Sequence, residues 1–185
     1  IFHLSRCGST LLSGCLSELD AAAVFSASPV LTEGLVDPAL TPQEKRAHVQ
    51  CLIDLKAVLF PGRRVVVKWN AWAIFHAQLL RGAYPAVPAV ALVRDPVEIL
   101  AAHHARAGRH MSGDPSLAGV APVFGVSAGG SVLEHRIGVL QRLMESMQAL
   151  AVEPDFACID YRQLRGDAVQ QVAAMFGLRC DADGQ

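Results

Sequence analysis

The sequence predicts an α/β fold, a parallel β-sheet flanked by helices, on three observations. Short apolar runs alternate with helix-like segments along the chain. The runs "RRVVVKW" and "AVPAVALV" are apolar at successive positions rather than at every second one, as in strands buried on both faces. The chain also opens on "IFHLSRCGSTLL", which reads as a strand, an anion-holding loop and a helix.

Taken in order, residues 1–4 read as a short buried strand and 9–19 as a helix. A second strand is expected around Val24–Ser26. Thr41-Pro42-Gln43-Glu44 is a helix start, with Thr41 as N-cap, Pro42 at the first helical position and Glu44 closing a capping box. That helix runs to about Leu59, and Pro61-Gly62 turns the chain. A strand at 64–69 leads into the helical "NAWAIFHAQLLRG". A strand at 89–93 is stopped by Pro96, and "VEILAAHHARAG" follows as a helix. Pro115 to Leu133 carries no charge, but its Pro and Gly residues oppose a membrane-spanning helix, so it reads as a lid-like loop. Beyond it, Leu133, Ile137, Leu140, Met144, Met147 and Ala151 step by three and four, an apolar helix face. "DFACIDY" is the last strand and "DAVQQVAAMFGL" the last helix.

With 185 residues, the chain reads as one domain over 1–185, trimmed at one or both ends, since it begins with Ile1 and not Met. The formal net charge of -1 opposes a general nucleic-acid binder. The five cysteines are odd in number and form no C-x-x-C pair. That pattern favours free thiols in a reducing, cytoplasmic setting and gives no sign of a metal site.

The opening loop carries the chemistry. A strand that ends in a tight turn and opens a helix points several backbone N–H groups at one spot, which the helix dipole makes favourable for an anion. Gly8 permits close backbone approach, Ser9 and Thr10 add hydroxyls, and Arg6 adds a permanent charge. The ATP-binding pattern G-x-x-x-x-G-K-[ST] is not met, because His3 takes the place of its first Gly and Ser9 that of its Lys.

"LSRCGSTLL" resembles the 5′-phosphosulfate-binding loop of sulfotransferases that use 3′-phosphoadenosine 5′-phosphosulfate (PAPS), with Arg6, Cys7, Gly8, Ser9 and Thr10 at the matching positions. "VALVRDPVEILAAHH" resembles that family's strand and Arg-Asp/Asn-Pro turn, which implies that Arg94 binds the 3′-phosphate. "VVVKWNAW" resembles its strand with a lysine near the transferred group, here Lys68. "FACIDYRQLRGDAVQQVAAMFGL" is similar to its C-terminal strand–Tyr–helix segment, which implies that Tyr161 lies near the adenine. The matches follow the family's order, span nearly the whole chain and are closer to bacterial or tyrosylprotein-type members.

The resemblance implies a P-loop-containing sheet of the nucleoside triphosphate hydrolase type, with PAPS as cosubstrate, a small-molecule or peptide acceptor and no metal; the breakers in 115–133 separately lead to the expectation of no membrane span. It implies catalytic roles for Lys68 and Arg6. Glu33 is the first choice of general base, with His76 and His103 behind it. The chain departs from the pattern at Ala102, where the family has Ser, and at Asn70, where cytosolic members have the catalytic His. Two other readings stay open: a PAPS-binding protein without catalysis, and a nucleotide-dependent kinase with a degenerate loop. His103 and His104, adjacent on a helix, face different ways. Asp95 reads as the cap of the turn before Pro96, and Trp69 and Trp72 as core.

Overall fold

The computed structural model describes residues 1–113, 130–153 and 155–178. Strands and helices alternate as expected. β1 (Phe2–His3), α1 (Ser9–Ser17), β2 (Ala22–Ser26), α2 (Pro29–Val36), α3 (Pro42–Leu59) and β3 (Arg64–Lys68) come first. A 3₁₀ turn (Ala71–His76) then runs into α4 (Ala77–Ala83), followed by β4 (Ala89–Val93), α5 (Pro96–Ala105) and a 3₁₀ turn at Arg109–Met111. The described chain closes with α6 (Val132–Leu150), β5 (Phe156–Asp160), a 3₁₀ turn (Tyr161–Arg165) and α7 (Ala168–Met175).

All strand pairs are parallel. One ladder runs β1-β4-β5 and the other β2-β3. Ile1 joins them: its nitrogen donates to the Val67 carbonyl at 2.7 Å, and its carbonyl accepts from Trp69 N–H at 3.0 Å. The order across the sheet is therefore β2-β3-β1-β4-β5.

The strands alternate their side chains between two cores. Phe2, Ala89, Ala91 and Trp69 face α2 to α6. Ile1, Val66, Val90, Leu92 and Ile159 face α1 and α7. This is the two-faced burial that the continuous apolar runs require, and each fully buried Leu or Ile stabilises by about 1.5–3 kcal/mol. β1 feeds α1 on one face, while its neighbour β4 feeds α5 on the other. Such a reversal opens a crevice at the carboxyl ends of the strands.

Several local readings hold to the residue. Thr41 and Glu44 form a capping box on α3, and Asp95 caps α5 by accepting from the N–H groups of Val97 and Glu98. Others differ. Residues 71–76 wind as 3₁₀ rather than α, and Asn70, at the start of that turn, gives its amide to Thr32 Oγ1 (2.9 Å) instead of capping it. The expected apolar stripe of α6 is shifted. Leu133 and Ile137 are exposed, and the buried set is Val139, Leu140, Leu143, Met147 and Leu150. The start of α6 instead lies against the 109–111 turn, through His135 and Arg136 bonding to the carbonyls of His110 and Met111. The lid-like loop falls mostly on residues 114–129, outside the described residues. Among those described, no helix is long and apolar enough to cross a membrane.

Candidate anion site at the carboxyl edge of the sheet

The β1–α1 loop is built from backbone conformations that side chains rarely adopt. Ser5 (φ 74°), Arg6 (φ 49°) and Gly8 (φ 82°) all lie in the left-handed region. Non-glycine residues there are strained and persist only where the surroundings hold them. His3 supplies part of that hold. Its Nε2–H donates to the Trp69 carbonyl (2.9 Å) and its Nδ1 accepts the N–H of Ser5 (3.0 Å). Burial first, and the nearby Lys68 charge second, push its pKa down to about 3, so the ring is neutral. The sequence singled His3 out only as a departure from the ATP loop.

Cys7 points into the core and is fully buried, and burial pushes its thiol up to about 11. Ser9 is buried at the first position of α1, and Thr10 is exposed beside it. The glycine requirement at Gly8 comes from packing as well as conformation. A Cβ there would run into Leu164 Cδ1 and come within 2.9 Å of the Tyr161 ring.

Arg94 ties three strand ends together. Its Nη1 donates to the Arg6 carbonyl (2.9 Å), its Nε pairs with Glu98 (2.7 Å), and its guanidinium lies over the Tyr161 ring at 4.4 Å. Nη2 makes no hydrogen bond among the described residues. Glu98 was not foreseen as its partner, though the i,i+4 spacing carries that signal. Arg162 sits 3.7 Å from the same carboxylate. Arg6 turns its own guanidinium to the Arg106 carbonyl at 2.6 Å, closing the loop against the end of α5.

Lys68 is the exception in this network. Strand alternation places it with Val66 on the α1 face, next to Cys7. It is 9% exposed, yet its ammonium has no hydrogen bond or ion pair among the described residues. Buried charges are normally paired. Burial lowers its pKa, against an opposing influence from Cys7.

The proposed bases are placed differently. Glu33 is exposed on α2, between the buried Thr32 and Gly34, and its carboxylate bonds to none of the described residues. His76 is partly buried in its 3₁₀ turn, and burial lowers its pKa. His103 is fully buried and His104 exposed, as adjacent helical positions require. Trp69 is core, and Trp72 packs on His110.

A cavity of about 570 Å³ lies elsewhere, bordered by Arg64, Val65, Pro88 and Ala89 at the starts of β3 and β4. It is on the opposite edge from the loop, and Arg6, Lys68, Arg94 and Glu98 are not among its lining residues. Among the described residues no cluster of His, Cys, Asp or Glu has the makings of a metal site. No family model matches the chain, and neither does any curated protein.

Proposed function

We propose that this protein is a sulfotransferase that binds PAPS across the carboxyl edge of its sheet and moves the sulfuryl group to a hydroxyl or amine of a small molecule or peptide. The observation that carries the reading is Lys68, a largely buried side chain whose ammonium has no partner among the described residues, beside the left-handed loop that opens α1. An anion there supplies the missing counter-charge. Support for the nucleotide comes from the resemblance described above. Its four segments, distant in sequence, lie together: Gly8 against Tyr161, Tyr161 under Arg94, Arg94 on Arg6, and Lys68 beside Cys7.

In the reaction, the bond from sulfur to the 5′-phosphate oxygen breaks and a bond from the acceptor heteroatom forms. The acceptor proton passes to a base, and 3′,5′-ADP leaves with the electron pair. Lys68 and the loop N–H groups stabilise the charge that builds on the leaving phosphate, and each such donor contributes about 3–4 kcal/mol. Arg94 offers Nη2 to the 3′-phosphate. Glu33 serves as base only for an acceptor lying along α2. A second reading, a PAPS binder without catalysis, is favoured by that outward placement and by Asn70 being committed to Thr32.

A thermal-shift series separates the readings. At about 100 times its dissociation constant, 3′,5′-ADP stabilises the protein by about 2.7 kcal/mol, and ATP with Mg²⁺ does not. The reverse pattern overturns the proposal in favour of a kinase. Binding without sulfate transfer across a broad acceptor panel selects the non-catalytic reading. Arg94→Ala reduces the preference for 3′,5′-ADP over 5′-AMP by about tenfold or more, the worth of a charge-assisted hydrogen bond. Equal ratios in wild type and variant remove Arg94 from the 3′-phosphate site.

A further inference from the structure

Ser5 and His103 form a buried contact that joins the loop to α5 and has no part in the reaction proposed above. Ser5 is 7% exposed and His103 wholly buried, with His103 Nε2 3.1 Å from Ser5 Oγ. The other ring nitrogen, Nδ1, faces the Gly108 N–H at 3.1 Å. A backbone N–H only donates, so Nδ1 must be the bare nitrogen. In a neutral imidazole the proton then sits on Nε2. Burial above all, then Arg6 and Arg136, hold the ring neutral by lowering its pKa to about 4.

This tautomer sets the direction of the contact: His103 donates and Ser5 Oγ accepts. The position of Ser5, on a strained turn from strand to helix beside a histidine, superficially suits a nucleophile and its base. The tautomer excludes that, because Nε2 has no lone pair with which to take the serine proton. The Ser5 O–H is left with no acceptor among the described residues. A buried hydroxyl with an unused proton, in the loop that carries the proposed anion site, is a donor awaiting an acceptor.

We infer that the Ser5 hydroxyl donates a hydrogen bond to an oxygen of the phosphate or phosphosulfate group held by the β1–α1 loop, and that His103 is the positioning residue that orients it. The inference rests on the anion site of the proposed function but not on the nucleotide being PAPS. Gly108 belongs to the same device. A Cβ there would approach His110 Cε1 at 3.1 Å and His103 Cε1 at 3.4 Å, so glycine lets its N–H close on the ring.

The test is calorimetric titration of 3′,5′-ADP and, separately, inorganic sulfate into wild type, Ser5→Ala, Ser5→Gly, His103→Phe, His103→Gln and the Ser5→Ala/His103→Phe double variant. Ser5→Gly relieves the left-handed strain while removing the hydroxyl, so any loss of affinity is not a loss of fold. Each removal of the hydroxyl weakens binding by about tenfold. His103→Phe weakens it to a similar degree, the double variant is no worse than either single one, and His103→Gln, which restores a donor to Ser5 Oγ, recovers most of the affinity. Unchanged affinity in both serine variants overturns the inference. So does an additive double variant or failure of glutamine to rescue. If wild type binds sulfate but not 3′,5′-ADP, the PAPS reading falls and Ser5 is judged on sulfate alone. If wild type binds neither anion, both fall.

Discussion

Lys68→Met makes the unliganded protein more stable and removes its affinity for 3′,5′-ADP. The two signs follow from one fact: the side chain is largely buried and its ammonium has no partner among the described residues. Without ligand, the charge is partly desolvated for no return, and methionine fills the same space without that penalty. A gain of about 1 kcal/mol is expected, or about 2–4 °C in melting temperature for a chain of this size. With ligand, the variant lacks an ammonium that has no partner among the described residues, and any sulfate transfer falls by about 10²–10³-fold. A lysine that merely ended a strand would show a small effect of one sign on both.

The pH dependence provides a second check. Burial holds the folded-state pKa of Lys68 below the ordinary 10.5. Between the folded and unfolded values, the unfolded chain binds more protons, so this group makes stability rise with pH up to 10.5 and contributes no further rise above it. Subtracting the Lys68→Met profile from that of wild type isolates this alkaline rise. A flat difference would show that Lys68 is not buried as described.

Gly8→Ala is the substitution expected to damage the fold most. The residue sits at φ 82°, where an alanine costs about 1–2 kcal/mol. Its Cβ also collides with Leu164 and the Tyr161 ring, which adds about 1–3 kcal/mol of overpacking. Together these lower the melting temperature by about 5–15 °C. Adding Leu164→Ala to make room recovers the packing part and leaves the conformational part. If Gly8→Ala melts like wild type, the Tyr161 turn does not rest on the loop.

The elements themselves were legible because their signals are local. The Thr41–Glu44 box, the Pro96 start of α5 and the run at Ala89–Val93 each depend on neighbours within one turn or one strand. The face of α6 was misread where this fails. Leu133 and Ile137 continue a helical period, but burial depends on what the sheet brings opposite, and the packed set begins at Val139. The 3₁₀ winding at 71–76 escaped for a similar reason, since Asn70 finds its partner 38 residues back on α2.

The same division governs the site. By itself, the sequence determined that a strand ends in an anion-suited loop opening a helix, that Arg6, Arg94 and Tyr161 each follow a strand, and that Lys68 lies at the end of one. In a parallel sheet all such ends lie on one edge, so their meeting was implicit in the alternation. Only the tertiary structure decided which charges are already satisfied. Arg94 reaches 88 residues back to the loop while holding Glu98, Arg6 closes on a carbonyl 100 residues on, and Ser5 meets His103 98 residues away. Partners at such separations are set by how strands stack side by side, which no local pattern records. Among the described residues, what remains after those pairings includes the ammonium of Lys68, Nη2 of Arg94 and the unspent proton of Ser5, and the proposed anion site rests on these groups.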